Sequence, residues 1–203
     1  YKTALYLAIE KENLEIIKVL LTNDKLDINS NIIIENIEKS FGGNIKARIL
    51  EKKTPLQFAI DNNRNIIIEL FLSRKINKKI DINGRSIKSI ISKTIDVFEK
   101  TPLYMSVEKR NINAINALLL RTDINVNEKS LHYSSYQQIH AETALHLAAQ
   151  QGDIEIVKRL LEEKNIDINI EDEQGKKPID YTKNDEIRKL FLHWFSLFWI
   201  KNE

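Results

Sequence analysis

The chain has 203 residues, 31 basic against 29 acidic side chains, and a formal net charge of +2. That balance argues against a dedicated nucleic-acid binder, whose affinity needs a concentrated basic face. With no cysteine, disulfides and thiolate metal sites are excluded too, and the composition fits a reducing compartment, so a cytoplasmic or nuclear location is expected.

The first element begins at Thr3-Ala4-Leu5-Tyr6-Leu7-Ala8, where the Thr hydroxyl can cap a short helix. No initiator Met or secretory signal precedes it, so the chain reads as a piece of a longer array. Leu14, Ile17 and Leu21 follow at helical spacing and predict a second helix. Asp27-Ile28-Asn29 closes the unit. Residues 30–53 then read as two extended stretches, 32–39 and 44–53, around Phe41-Gly42-Gly43-Asn44, an elongated β-hairpin.

A second unit opens at Thr54-Pro55-Leu56-Gln57-Phe58-Ala59, with Pro55 at the first helical position. Its second helix has the least certain register, because Asn65 stands where the other units place Leu14, Ile112 and Ile154. Asp81-Ile82-Asn83 comes late, which predicts three added residues between Arg74 and Ile80. Residues 84–100 predict a shorter hairpin. The third unit runs from Thr101-Pro102-Leu103-Tyr104-Met105-Ser106 through Ile112–Leu120 to Asn125-Val126-Asn127. The stretch 128–142 has neither Gly nor Pro and reads as a loop. The fourth unit has Thr143-Ala144-Leu145-His146-Leu147-Ala148, a helix from Ile154 to Leu161, and Asp167-Ile168-Asn169. Lys177-Pro178-Ile179-Asp180-Tyr181-Thr182 is a fifth, weaker echo. From Asp185 a last helix places Ile187, Leu190 and Phe191 on one face and runs into an aromatic tail.

These phrases resemble the Thr-Pro-Leu-His-x-Ala signature of the ankyrin-repeat family. The resemblance implies an all-α solenoid of four full repeats, starting near 1, 52, 99 and 141, and a degenerate fifth near 175. Fingers 30–53, 84–100 and 128–142 and a capping region 185–203 complete one domain. The repeats begin 51, 47 and 42 residues apart (54−3, 101−54, 143−101), against ~33 in the family. The excess falls in the fingers. An Asn, Ile and Lys-rich composition also resembles the ankyrin proteins of protists with AT-rich genomes.

No phrase for a nucleophile, a phosphate loop or a His-Glu-x-x-His metal pair occurs in the sequence. Neither catalysis nor a cofactor nor a metal is expected, since His132 and His140 supply two ligands without a placed third. The resemblance implies that His146 joins an inter-repeat hydrogen-bond network, with Tyr6, Gln57 and Tyr104 in the equivalent slots. The resemblance also implies protein–protein recognition. His132, Tyr133, Tyr136, Gln137 and His140 in the third finger are candidate contacts, because Tyr, Gln and His give adaptable amphipathic surface. In the family the two residues before the inter-helix turn help line the groove, so the resemblance places Glu10 and Lys11, Asp61 and Asn62, Glu108 and Lys109, and Gln150 and Gln151 there, the last four being candidate contacts. The following slot, usually Gly in the family, holds Glu12, Asn63, Arg110 and Gly152, and a left-handed turn would strain Glu12 and Arg110.

Fingers one and two each carry net +2: five basic against three acidic residues (Lys39, Lys46, Arg48, Lys52, Lys53; Glu35, Glu38, Glu51), then four against two (Arg85, Lys88, Lys93, Lys100; Asp96, Glu99). Trp194, Phe198 and Trp199 in the tail are candidates for capping, partner or membrane contact, though the 11 residues 190–200 fall short of the ~20 needed to span a bilayer. The expected protein is a monomeric interaction module that binds a protein partner and no nucleic acid. Two alternatives are a membrane-peripheral protein anchored by the tail, and the recognition part of a larger enzyme or ligase.

Overall fold

The computed structural model describes residues 3–39, 45–73, 79–92, 94–135 and 137–201, with side chains at all of these except 39, 45, 46, 138, 139 and 197–201. The expected Phe41–Asn44 turn and most of the expanded Arg74–Ile80 loop lie outside the described residues.

Four antiparallel helix pairs stack in chain order: α1 (Ala4–Glu10) with α2 (Leu14–Leu21), α3 (Pro55–Asp61) with α4 (Asn65–Leu72), α5 (Pro102–Glu108) with α6 (Ile112–Leu119), and α7 (Ala144–Gln151) with α8 (Ile154–Leu161). Thr3, Thr54, Thr101 and Thr143 each accept the backbone N–H three residues on, the N-cap the sequence implies. Asn13, Asn111 and Asp153 cap the second helices in the same way. Arg64 makes no such bond, yet α4 starts at Asn65 in register with its counterparts. The Asn65 side chain accepts from the amide of Asn111 at 2.7 Å and so ties the second unit to the third.

Buried aliphatic side chains from every pair merge into one continuous core, with Ile9, Ile60, Val107 and Ala148 sealed at 0% exposure. The closing Asn residues stitch its edge. Asn29, Asn83 and Asn127 each donate to a backbone carbonyl of the next unit (Lys79, Asp123, Asn165) at 2.7–2.8 Å. Each also accepts from a backbone N–H there (Asp81, Asn125, Asp167) at 2.8–2.9 Å. The turn after each first helix is left-handed in all four pairs, with φ of 54° at Glu12, 54° at Asn63, 51° at Arg110 and 69° at Gly152. The strain at the two charged positions is accompanied by contacts to the next unit: Glu12 pairs with Arg64 at 2.6 Å, and Arg110 donates to the Gln151 carbonyl at 3.3 Å.

The fingers depart from an all-α architecture. All three are hairpins: β1 (Ile32–Lys39) with β2 (Ile45–Lys53), β3 (Ser86–Ile91) with β4 (Ile95–Lys100), and β5 (Ser130–Ser134) with β6 (Gln137–Glu142). They join edge to edge into one six-stranded antiparallel sheet of order β1 to β6. The loop expected at 128–142 is therefore corrected. Strand β5 forms because β4 offers it an open edge, pairing Val97 with Tyr133 and Phe98 with His132. Its turn uses Ser135 at φ 48°, held by an N–H donated to the Ile95 carbonyl at 2.8 Å.

After α8 the fifth echo forms a short 3-10 turn, Pro178–Tyr181, and α9 (Asp185–Lys201) follows. Ile187 and Phe191 are fully buried, with Leu190 and Trp194 packed beside them.

Candidate functional site

The first helices and the sheet form two walls of a groove. Alternation of side chains along a strand decides what faces it. Lys53 is 7% exposed and bridges Glu51 on its own strand (2.5 Å) and Asp61 at the end of α3 (2.6 Å), so this face of the sheet looks toward the first helices. Glu51 also meets Lys88 of β3 at 3.3 Å, and Asp61 meets Lys109 at the end of α5 at 3.0 Å. The result is a five-residue ion network across two fingers and two helices. Burial alone would lift the carboxyls of Glu51 and Asp61 and depress the Lys53 ammonium; hydrogen bonds and opposite charges outweigh it, so both carboxyls lie low and Lys53 lies high.

The same position recurs one unit later. Lys100, directly before Thr101, reaches Glu108 of α5 at 2.5 Å. Glu142, directly before Thr143, is 3% exposed and accepts from the Tyr104 hydroxyl. Its other oxygen lies 2.9 Å from His140 Nε2, at an angle too poor for a hydrogen bond. His132 sits opposite His140 across the hairpin and stacks on Phe98, ring centroids 4.0 Å apart. Burial pushes the His132 imidazole down in pKa, although Asp96 at 3.8 Å pulls the other way.

The repeat-phrase slot carries the inter-unit bridge by different chemistry in each unit. His146 Nδ1 contacts Thr143 and Nε2 lies 3.2 Å from the Lys176 carbonyl. Burial lowers its pKa, so the ring is neutral, with the carbonyl taking the Nε2 proton. Gln57 copies this geometry: its oxygen accepts from the Thr54 N–H at 2.8 Å and its amide donates to the Gly84 carbonyl at 2.6 Å. In the third unit Tyr104 points to Glu142, and Ser130 accepts from the Thr101 N–H at 3.0 Å instead. Tyr6 packs its ring on Phe58, centroids 4.4 Å apart.

Among the expected contact residues, the structure brings His132, His140, Glu108 and Lys109 to the groove side, with Gln150 exposed beyond them. Gln151 is half-buried and its carbonyl is engaged by Arg110. Gln137 is exposed opposite Ser134. Tyr133 lies on the opposite face of the sheet, one pleat away from His132, so the third finger does not present its residues as one patch. Tyr136 lies outside the described residues, as do the side chains of Phe198 and Trp199. Trp194 turns against the core and meets Phe195 edge-on at 6.3 Å. Sequence reasoning counted Lys53, Glu51 and Lys88 only as charges of the fingers and did not join them to Asp61, and it missed Phe98. A signal existed in the ionisable residue directly before Thr54, Thr101 and Thr143. Among the described residues no group of three or more His, Asp or Glu could hold a metal ion, and no helix is long and apolar enough to cross a membrane.

The chain is similar to known proteins over most of its length. The Ank_2 family model, ankyrin repeats (3 copies), matches residues 83–172 and 129–193, together more than half of the chain. Alpha-latrotoxin-Lg1a of Latrodectus geometricus is 32% identical over 143 residues, 70% of this chain and 9% of the toxin. Rabankyrin-5 of Mus musculus is 27% identical over 60% of this chain and 12% of its own length. The chain thus spans about a tenth of the curated relatives it matches. These come from a spider and a mammal, so the resemblance to protist proteins finds no support in them. In fold, the ankyrin repeat domain of Bcl-3 matches with a TM-score of 0.63 at 20% identity, covering 93% of this chain and 67% of that domain. EF0377, an ankyrin repeat protein, matches with 0.58 at 16% identity, covering 97% and 81%. With the phased helix pairs, the capped Thr phrases and the family match in agreement, the chain belongs to the ankyrin-repeat family, whose fold serves as a non-catalytic scaffold for protein–protein interaction.

Proposed function

We propose that this chain recognises a protein partner along the groove of its third and fourth units, where Lys109, Gln150, His132 and His140 are the contact residues. The scaffold is read as four full repeats and a degenerate fifth closed by α9. The observation that carries this reading is the ion network Lys88–Glu51–Lys53–Asp61–Lys109, which fixes sheet and helices relative to each other before any partner arrives. A wall held in advance loses little entropy on binding. Glu108 pairs with Lys100 as Lys109 pairs with Asp61, so both hold the wall and meet a partner as charges already paired.

The test is affinity capture with the intact chain and with a Lys109→Glu, Gln150→Ala, His140→Ala variant, read by mass spectrometry. A protein retained by the intact chain and lost by the folded variant supports the groove. Equal capture by both sinks it.

A further inference from the structure

The first unit is exposed where the other three are covered. Leu7 is 43% exposed, Ile16 49% and Val19 69%. Counted from the opening Thr, Leu7 matches Phe58, Met105 and Leu147, which are 8%, 3% and 8% exposed. Ile16 matches Ile67, Ala114 and Ile156, at 2%, 0% and 2%. Val19 matches Leu70 and Ala117, which pack on the core, and Arg159, which donates to Asn116 of the unit before it at 3.0 Å. What covers Phe58 is visible: the ring of Tyr6, from the preceding unit, lies 4.4 Å away. An apolar side chain at such a position stabilises the fold only when a neighbouring unit buries it.

Two further features of this end recur in the other units with a partner in place. The Asp81, Asn125 and Asp167 N–H groups each donate to the Asn that closes the preceding unit, and that Asn also bonds the carbonyl two residues earlier. In the first unit the same pair is the Lys25 carbonyl and the Asp27 N–H, and among the described residues nothing bonds either. Strand β1 heads the sheet, with no strand on its outer side among the described residues. Its counterparts β3 and β5 pair there with the strand that runs into the Thr of their own unit. Ile87 meets Lys52, two residues before Thr54, and Leu131 meets Glu99, two before Thr101. Ile87 and Leu131 stand four after a closing Asn (87−83, 131−127), as Ile33 does (33−29), and Ile33 is 60% exposed.

We propose that this end is covered by a further unit of the same build, a helix pair with a closing Asn and a hairpin, which precedes Thr3 in the same polypeptide. Its helices bury Leu7, Ile16 and Val19, its Asn takes the Asp27 N–H and the Lys25 carbonyl, and its second strand fills the outer edge of β1. Connectivity makes the occupant continuous with this chain. In both observed cases the strand that fills the edge is the one directly before the Thr, β2 before Thr54 and β4 before Thr101. A second copy joined head to tail does not fit, because the other end of the stack is closed. There α9 packs on α8, Ile187 and Phe191 are fully buried, and the last closing Asn, Asn169, accepts from Lys177 of its own chain at 3.2 Å. A second copy turned face to face brings no Asn to Asp27, since Asn29 is already engaged by Lys79 and Asp81.

Reading the coding sequence upstream of Tyr1, and expressing the chain with that segment added, tests it. The added residues are expected to hold a Thr-x-Leu phrase one unit before Thr3, at the 42 to 51 residue spacing of the other units, with a closing Asn between the two. In native-state hydrogen exchange the Asp27 amide and those of α1 are expected to exchange at least about tenfold more slowly in the extended chain than in the present one. Leu7→Gln with Val19→Gln is expected to leave the urea midpoint of the present chain unchanged, since both side chains are exposed, and to lower that of the extended chain. An Asp27 amide that exchanges at one rate in both chains overturns the proposal, as does a double variant that shifts both midpoints equally. An upstream sequence without such a unit overturns it too; concentration-dependent sedimentation, lost in the double variant, would then assign this end to a second copy.

Discussion

Replacing Lys53 by Met probes the network that sets the groove. The methionine keeps most of the aliphatic stem in a site only 7% exposed and removes the ammonium. Breaking a buried ion pair by deleting one partner costs about 3–5 kcal/mol when the remaining charge has no other partner. Here both carboxylates keep one. Glu51 retains Lys88 at 3.3 Å and Asp61 retains Lys109 at 3.0 Å, and both lysines are more exposed than Lys53. The expected loss is therefore about 2–3 kcal/mol, below the full penalty. Its pH dependence identifies the cause. Glu51 and Asp61 have folded pKa values held below their unfolded ones, net of burial, chiefly by Lys53. The stability this confers is present above the unfolded values, about 4, and is lost as pH falls through the folded ones. Urea unfolding followed by circular dichroism should show the full wild-type advantage near neutral pH and a progressive loss of it as pH is lowered below about 4. An advantage that does not change with pH would refute the electrostatic account and leave packing as the cause.

Three further substitutions read other parts of the scaffold. Asn83→Ala removes the bonds to Asp123 and Asn125 at 2.7 and 2.8 Å; water can reach both abandoned groups, so a loss of about 1–2 kcal/mol is expected in urea unfolding. Arg110→Gly relieves a left-handed backbone at φ 51° and forfeits one long hydrogen bond, so a gain of about 1 kcal/mol should appear as a higher melting temperature. His146→Gln should keep the bridge, because Gln57 makes the same two bonds. It should also remove a titration: the His146 pKa is lowered by burial, so its stability contribution is complete above the unfolded value of about 6.5 and declines as pH falls below it. The variant should therefore lose less stability than wild type between about pH 7 and pH 5, and an identical slope would count against a neutral, buried His146.

The helices were legible because their evidence is local. Leu14, Ile17 and Leu21 declare a face within two turns, and Thr3 or Thr143 declares a start within one residue. Even the doubtful α4 kept its phase, because Asn65 serves the next unit without disturbing Ile67, Ile68 and Phe71 inside. The sheet was less legible because its pairings are non-local. Strand β2 meets β3 across a whole helix pair, and β5 owes its existence to β4 as much as to its own turn. A turn built on Ser135 leaves no Gly or Pro signature, so 128–142 read as a loop. Without the sheet there was no way to see that Tyr133 and His132 face opposite ways, or that Lys53, Lys88 and Lys109 belong to one network. The basic character expected of the first two fingers changes meaning for the same reason. Lys53, Lys88, Lys100 and Arg48 direct their charge to neighbours.

The measurement closest to the central claim compares partner capture by two folded variants. One alters the groove through Lys109→Glu, Gln150→Ala and His140→Ala. The other alters the opposite face of the sheet through Leu50→Lys and Val97→Lys. A partner lost by the first and kept by the second is the predicted result. A partner kept by the first and lost by the second would contradict the groove as the recognition surface.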